Sequence, residues 1–378
     1  MKILYGVQGT GNGHISRANA MAKAFAAYPG VEVTWLYSGR PRESLGEVPA
    51  ASQWRRGMTF ATENGQLKPF KTLMGNSVPG FVRDIRELDL SPYDCVVTDF
   101  EPIVSWAARL RGIPTVGIGH QYAFSHAVPV APGQPLGRMV LKTFAPADCG
   151  LGLHWHHFEQ PVLPPIIDLE GLRRQTPGAS KIVVYLPFED QQLVMGMLRR
   201  LTGYEFFLYG PGLLDRSVGN VHTRTLSRLG FKRDLVSCAG VITNAGFELI
   251  AECLALGIKV IAKALGGQVE QASNAAALTQ LGYAEVVDEF TVPALRRWLQ
   301  GAQRVQIDYP VVHERIARWL IEGQRESPAE LSGELWHDVV VRRGEYRIPS
   351  RPAYRVLGPQ VGEFVTGGLQ GFVRTLRR

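Results

Sequence analysis

Short apolar runs rich in β-branched residues alternate with longer amphipathic stretches along most of this chain. In the first half the runs are Lys2 to Tyr5, Glu32 to Tyr37, Cys95 to Thr98 and Thr115 to Ile118, with a helical stretch over Ala18 to Ala27. That rhythm predicts βαβ units around a parallel sheet. A second set follows: Lys181 to Leu186, a helix near Gln191 to Leu201, Glu205 to Tyr209, Gly240 to Thr243, a helix over Glu248 to Ala255, and Lys259 to Ala262. Between the sets, Gln160-Pro161-Val162-Leu163-Pro164-Pro165 suits neither a helix nor a central strand, because successive prolines remove amide donors and fix φ. The pattern therefore predicts two Rossmann-like, doubly wound α/β domains, over 1–160 and 181–325, joined by a linker over 161–180. Such sheets bind ligands at the carboxyl ends of their strands, so the predicted site is the cleft between two facing domains.

Composition changes this picture little. A chain of 378 residues is long for one core, and 45% hydrophobic with 20% charged residues is ordinary for a globular protein. The apolar run at the N-terminus is too short for a signal peptide or a membrane span, which predicts a soluble, cytoplasmic protein. Cys95, Cys149, Cys238 and Cys253 form no CxxC pair and read as reduced core thiols. The net charge of +7 favours an anionic partner: nucleotide phosphates, an anionic membrane face or nucleic acid. Nucleic acid is set aside, since no zinc-finger or RNP-like pattern accompanies the charge.

Three segments carry chemistry. The first, Gly6-Val7-Gln8-Gly9-Thr10-Gly11-Asn12-Gly13-His14, lies between the first strand and its helix. Gly11 and Gly13 let the backbone approach a ligand, and the free amides of the helix favour an anion. A dinucleotide fingerprint is the competing reading, but Tyr37 and Ser38 stand where its acidic residue would close the second strand. The second is Val96-Val97-Thr98-Asp99, a strand ending in a carboxylate. Asp99 there can orient the His14 imidazole and stabilise its cation, which makes a base and its orienter. Alternatively Asp99 caps the next helix and His14 is a loop histidine.

The third is Gly240-Val241-Ile242-Thr243-Asn244-Ala245-Gly246-Phe247-Glu248-Leu249-Ile250-Ala251-Glu252, followed by Gly266-Gly267-Gln268-Val269-Glu270-Gln271-Ala272-Ser273-Asn274-Ala275. Here a strand runs through a small-residue turn at Asn244, Ala245 and Gly246 into a helix whose N-terminus can hold a diphosphate. Glu252 sits about two turns into that helix, where it can accept hydrogen bonds from ribose hydroxyls.

This third block resembles the donor-binding signature of the UDP-glycosyltransferases and of the peptidoglycan lipid-intermediate N-acetylglucosaminyltransferase. The chain up to about residue 325 is most similar to a bacterial and archaeal glycosyltransferase family with a Glu-Gln-x-x-Asn-Ala motif. The resemblance implies a GT-B fold and a nucleotide-sugar donor, with UDP-sugar favoured. It implies that Glu252 binds ribose, that Glu270 and Gln271 read the donor sugar's hydroxyls, and that His14 and Asp99 are the catalytic pair. It further suggests that Phe231 holds the base, the alternative being a core aromatic. Asn244 departs from a phosphate-contacting His, and Glu248 and Leu249 from an Asn-Ser pair. Retaining relatives carry Glu-x7-Glu, and Asn244 stands where the first Glu would be, which implies inversion. Helix dipole and amides then carry the leaving-group charge, so neither metal nor other cofactor is expected.

Other candidates are weaker in chemistry. His154-Trp155-His156-His157 lacks a fourth ligand or an acidic partner, so a cleft-lining or solvent-facing role is preferred over a metal site. His120 and Gln121 end a strand on the ligand side, which makes His120 an acceptor-site candidate, the alternative being a structural turn. Residues 326–378 are expected to form a basic tail in which Val361, Phe364, Val365, Leu369, Phe372, Val373 and Leu376 gather on one helical face. That face either packs on the N-terminal domain or meets an anionic membrane, which would suit a lipid-linked or cell-envelope acceptor. Two rivals to a transferase remain: a nucleotide-sugar 2-epimerase of the same fold, and a nucleotide-sugar-binding protein without catalysis.

Overall fold

The computed structural model describes residues 1–59, 62–63, 66–67, 75–132, 135–169, 171–176, 180–301 and 303–348. Strands β1 (Lys2–Gln8), β2 (Glu32–Ser38), β3 (Ser52–Trp54), β4 (Cys95–Asp99), β5 (Thr115–Gly119) and β6 (Cys149–Gly152) form an all-parallel sheet in the order β3-β2-β1-β4-β5-β6. Helices α1 (Asn12–Ala26), α2 (Val78–Glu87), α3 (Pro102–Arg111), α4 (His120–Ala123) and α5 (Pro135–Thr143) belong to this half. Strand order reverses between β1 and β4, so the loops after these two strands open a crevice. Val7 pairs with Asp99 across it, which puts the carboxylate beside the glycine turn.

The second sheet repeats the design. It holds β7 (Lys181–Tyr185), β8 (Glu205–Tyr209), β9 (Arg216–Val218), β10 (Val221–Arg224), β11 (Gly240–Asn244), β12 (Lys259–Lys263) and β13 (Glu285–Val286), in the order β9-β10-β8-β7-β11-β12-β13. Only β9 is antiparallel to its neighbour. Helices α6 (Gln191–Leu198), α7 (Arg228–Ser237), α8 (Phe247–Leu256), α9 (Val269–Leu281) and α10 (Val292–Gln300) accompany it. Here the order reverses between β7 and β11, which sets the turn at Asn244 to Gly246 at the crevice. One apolar cluster runs from Tyr5, Met21 and Trp155 of the first half to Val241, Ile250 and Leu278 of the second, so the two halves share a buried layer.

Several expectations are adjusted. The helix after β1 begins at Asn12 rather than near Ala18, because Gly11 already serves as its N-cap. His14 thus stands in the first helical turn and not at the end of a loop. The segment beyond 326 is not a single tail. Helix α12 (Pro328–His337) follows α11 (Val312–Ile321), and β15 (Val340–Glu345) pairs antiparallel with β14 (Gln303–Asp308). Helix α11 packs across α1, while Ser332 and Trp336 of α12 donate to the Val162 carbonyl at 2.8 and 2.6 Å. The expected helix over 361–376 lies outside the described residues. Among those described, no helix is long and apolar enough to cross a membrane.

The cap of α3 is taken by Glu101, not Asp99. Fully buried Glu101 accepts from the amides of Ile103 (2.9 Å) and Val104 (2.7 Å) and from the Ser38 hydroxyl (2.6 Å). Pro102, at the first helical position, loses no needed donor. Asp99 is thereby free for other partners. Replacing Glu101 by Ala should cost about 1–3 kcal/mol, a buried cap with three donors left unpaired. A lowered midpoint of urea unfolding would register this, and an unchanged midpoint would mean that the cap is dispensable.

Candidate functional site

His14 reaches Asp99 from the first turn of α1. Its Nδ1 stands 2.7 Å from Asp99 Oδ1 and 2.9 Å from Arg17 Nη2; in the tautomer with the proton on Nδ1, bonded to the carboxylate, Nε2 keeps a free lone pair. Arg17, three residues on and on the same helical face, completes the grip: its Nε donates to Oδ2 at 2.7 Å and its Nη2 to Oδ1 at 2.6 Å. Asp99 is fully buried and Arg17 only 2% exposed, whereas the His14 side chain keeps 12%. Burial alone would push the Asp99 carboxyl up, but the Arg17 guanidinium and His14 outweigh it and hold it below the usual range. Arg17 was not singled out by the sequence, although its three-residue spacing from His14 was a usable signal.

Local backbone geometry fixes this group. Phe100, directly after Asp99, takes φ of 54°, a left-handed turn unusual for an aromatic residue. Its ring is buried against Phe144 and Tyr122, at centroid distances of 5.1 and 6.3 Å, which holds the turn in place.

Across the crevice stands the β11–α8 turn. Gly246 is the N-cap of α8 and no side chain caps the helix; the Gly246 amide donates to the Asn244 carbonyl at 2.7 Å, and a Cβ at Gly246 would meet nothing within 4 Å. The Ala245 amide donates to the Lys263 carbonyl at 2.8 Å and its carbonyl accepts from Asn274 at 2.9 Å, which ties the turn to β12 and α9. Asn244 is buried and donates to Glu189 at 3.1 Å, and Glu189 in turn pairs with Lys263 at 2.8 Å. Glu248 does not project freely from the first turn: its carboxylate pairs with Arg17 Nη1 of the other half. Gly13 permits this approach, since a Cβ there would come within 2.6 Å of Glu248 Cγ. Burial pushes the Glu248 carboxyl up to about 8; Arg17 opposes that rise, while Asp99 and Glu252 add to it.

The remaining candidates line the same cleft. Glu252 is buried and ion-paired with Lys232, and burial raises its carboxyl against the pull of that ammonium. Phe231 lies edge-on to Tyr185 and Tyr209, with centroids 5.5 and 5.0 Å away, as part of an aromatic wall on α7, β7 and β8. Tyr185 also accepts from Asn12 of the glycine turn at 2.8 Å. Glu270 accepts from Gln121 across the cleft at 3.0 Å, whereas Gln271 turns back to accept from the Leu265 amide at 3.0 Å and so shapes its own loop.

His120 is buried between the halves. Its Nδ1 lies 2.8 Å from the Leu153 carbonyl and its Nε2 2.6 Å from Asn274 Oδ1, and the ring stacks on Phe247 at 4.1 Å and 5°. His154 is also buried, its Nδ1 accepting from the Trp155 amide at 2.9 Å. Among the described residues, no three His, Cys, Asp or Glu side chains stand together in a way that would hold a metal ion.

The arrangement sets an imidazole against a buried carboxylate on one wall, and a helix N-terminus without a side-chain cap, a carboxylate and an aromatic wall on the other. A search of curated protein sequences finds no match. Among solved structures, a glycotransferase of kitacinnamycin superposes with a TM-score of 0.54 at 16% identity, covering 90% of this chain and 99% of that one. The spinosyn forosaminyltransferase SpnP gives 0.51 at 16% identity, covering 89% and 98%. Phytolacca americana UGT2, solved with UDP-2-fluoro-glucose and pterostilbene, gives 0.51 at 16% identity, covering 89% and 94%. At such identities the likeness is one of fold, the GT-B arrangement of two facing α/β halves. The profile of glycosyl transferase family 1 matches residues 1–301, and the chain therefore belongs to that family and is a glycosyltransferase.

Proposed function

We propose that this enzyme moves a sugar from a nucleoside diphosphate donor, UDP-sugar favoured, to an acceptor hydroxyl with inversion and without a metal. The observation that carries the reading is the His14–Asp99 contact of 2.7 Å, which directs the free Nε2 lone pair of a partly exposed imidazole away from its partner. His14 takes the acceptor's proton, the oxygen attacks the anomeric carbon, and the bond to the diphosphate breaks with its electron pair leaving on phosphate oxygen. Asp99, held by Arg17, keeps the tautomer and offsets the imidazolium charge that forms.

The donor lies on the second half. Its diphosphate faces the first amides of α8, at Phe247 and Glu248, where the helix dipole favours an anion. Glu252 takes the ribose hydroxyls beside Lys232, Phe231 borders the base, and Glu270 with Gln121 meets the sugar. His120 contributes shape to the acceptor side through its stack on Phe247.

His14→Ala should lower turnover by roughly 10²–10⁴ with nucleotide affinity almost unchanged, because a base acts in the transition state. Asp99→Asn should follow with a smaller loss; wild-type rates in both variants would end the dyad assignment. Glu252→Ala should weaken UDP binding by about 1–3 kcal/mol in calorimetric titration, the range for a charged hydrogen bond. An unaltered affinity would remove Glu252 from the ribose site. Activity should survive EDTA, and restoration of lost activity by Mg²⁺ or Mn²⁺ would contradict the metal-independent route. Conversion of UDP-N-acetylglucosamine without any acceptor would instead favour an epimerase.

A further inference from the structure

Helix α8 offers its amides to the cleft, but the side chains of its first turn offer an anion nothing. Phe247 and Leu249 are apolar, Glu248 is acidic, and the Asn244 amide group is already bonded to Glu189. The guanidinium that reaches this turn comes from the opposite half. Arg17 directs Nε and Nη2 at Asp99 and turns Nη1 away from it, onto Glu248. One buried cation thus serves two carboxylates unequally: Asp99 takes two of its N–H donors and the His14 contact besides, whereas Glu248 takes Nη1 alone. Buried Asn244, at the same turn, has an Oδ1 with no hydrogen-bond partner, an acceptor that a ligand hydroxyl, not a phosphate oxygen, can satisfy.

A carboxylate and a phosphate present the same planar fork of acceptor oxygens to a guanidinium. Glu248 is therefore the kind of group that a phosphate can replace on Arg17 without leaving that buried cation uncompensated. If Glu248 stayed, its charge would oppose a diphosphate on the same helical turn. We propose that Arg17 is the residue that neutralises the donor's diphosphate, and that Glu248 is its internal counter-ion, displaced when the diphosphate docks on α8. This inference rests on the donor placement proposed above. It gives Arg17 two tasks, since one guanidinium then fixes the orienter of the base and offsets the charge gained by the leaving diphosphate. It also makes donor binding a contact between the halves, with the phosphates on α8 and their counter-charge on α1.

Calorimetric titration of the full chain with UDP and with uridine tests this. Above pH 8, where the Glu248 carboxyl is ionised, Glu248→Gln removes the competing charge and keeps the side chain's size, so UDP affinity should rise roughly tenfold with uridine affinity unchanged. Arg17→Gln should weaken UDP roughly tenfold or more, again sparing uridine. Because Arg17 also grips Asp99, the Glu248 variant decides. UDP affinity that is unchanged or weaker in Glu248→Gln overturns the inference while the donor site stands. So does an equal change for UDP and uridine, since the effect would then not lie at the phosphates. If the wild-type chain binds neither uridine nor any nucleoside diphosphate in a panel of bases, the donor placement itself is wrong and the inference falls with it.

Discussion

Asp99 has no solvent exposure, and an ionised carboxylate in that position would cost several kcal/mol if nothing compensated it. Arg17 and His14 supply the compensation, and much of the first half is arranged so that they can. Glu101 takes the helix cap that Asp99 would otherwise serve. Phe100 accepts a left-handed backbone conformation so that the chain turns immediately after the carboxylate. Gly119 stands at the end of the neighbouring strand, where a Cβ would press on Asp99 Oδ1 at 3.3 Å and Arg17 Nη2 at 3.4 Å. A side chain there would loosen the grip on which the orientation of His14 depends.

The same buried charge reaches into the second half through Arg17 and Glu248. Around that pair the halves are joined by polar and aromatic contacts rather than by a simple apolar seam. His120 stacks on Phe247 and meets Asn274, Gln121 meets Glu270, the Trp155 indole donates to the Phe247 carbonyl, and Asn12 meets Tyr185. Several of these residues are the ones proposed to meet the donor. On the proposed placement, docking a donor exchanges bonds between the halves for bonds to the ligand, and the net gain is smaller than the ligand contacts alone suggest. The C-terminal helices add to these contacts: α11 packs on α1, and α12 bonds the Val162 carbonyl.

Much of the architecture was legible in the chain. Strand positions such as Lys181–Tyr185 and Glu205–Tyr209 follow from short apolar runs, β-branched in the first and aromatic in the second, because a parallel sheet buried on both faces demands such runs locally. The approach of His14 to Asp99 was legible too, since both residues end or follow strands that neighbour at a reversal of strand order. Helix starts were less so: Gly11 as N-cap of α1 gives no side-chain signal, whereas Glu101 competed with Asp99 for a cap that only the backbone path after Phe100 assigns. The strand Val340–Glu345 was read as tail because its apolar content is only two valines, and its pairing with Gln303–Asp308 is a long-range hydrogen-bond ladder that local pattern does not encode.

The sequence by itself determined the two α/β halves, the glycine turn, the strand-end carboxylate and the small-residue turn before Glu252, all of which are properties of neighbours along the chain. Tertiary structure alone decided which charges meet. Arg17 on Asp99 and Glu248, Lys232 on Glu252, and Gln121 on Glu270 are contacts between segments up to 231 residues apart. Coulombic and hydrogen-bond partners are chosen by distance in space and by burial, and neither is written into the spacing of residues along one strand or helix.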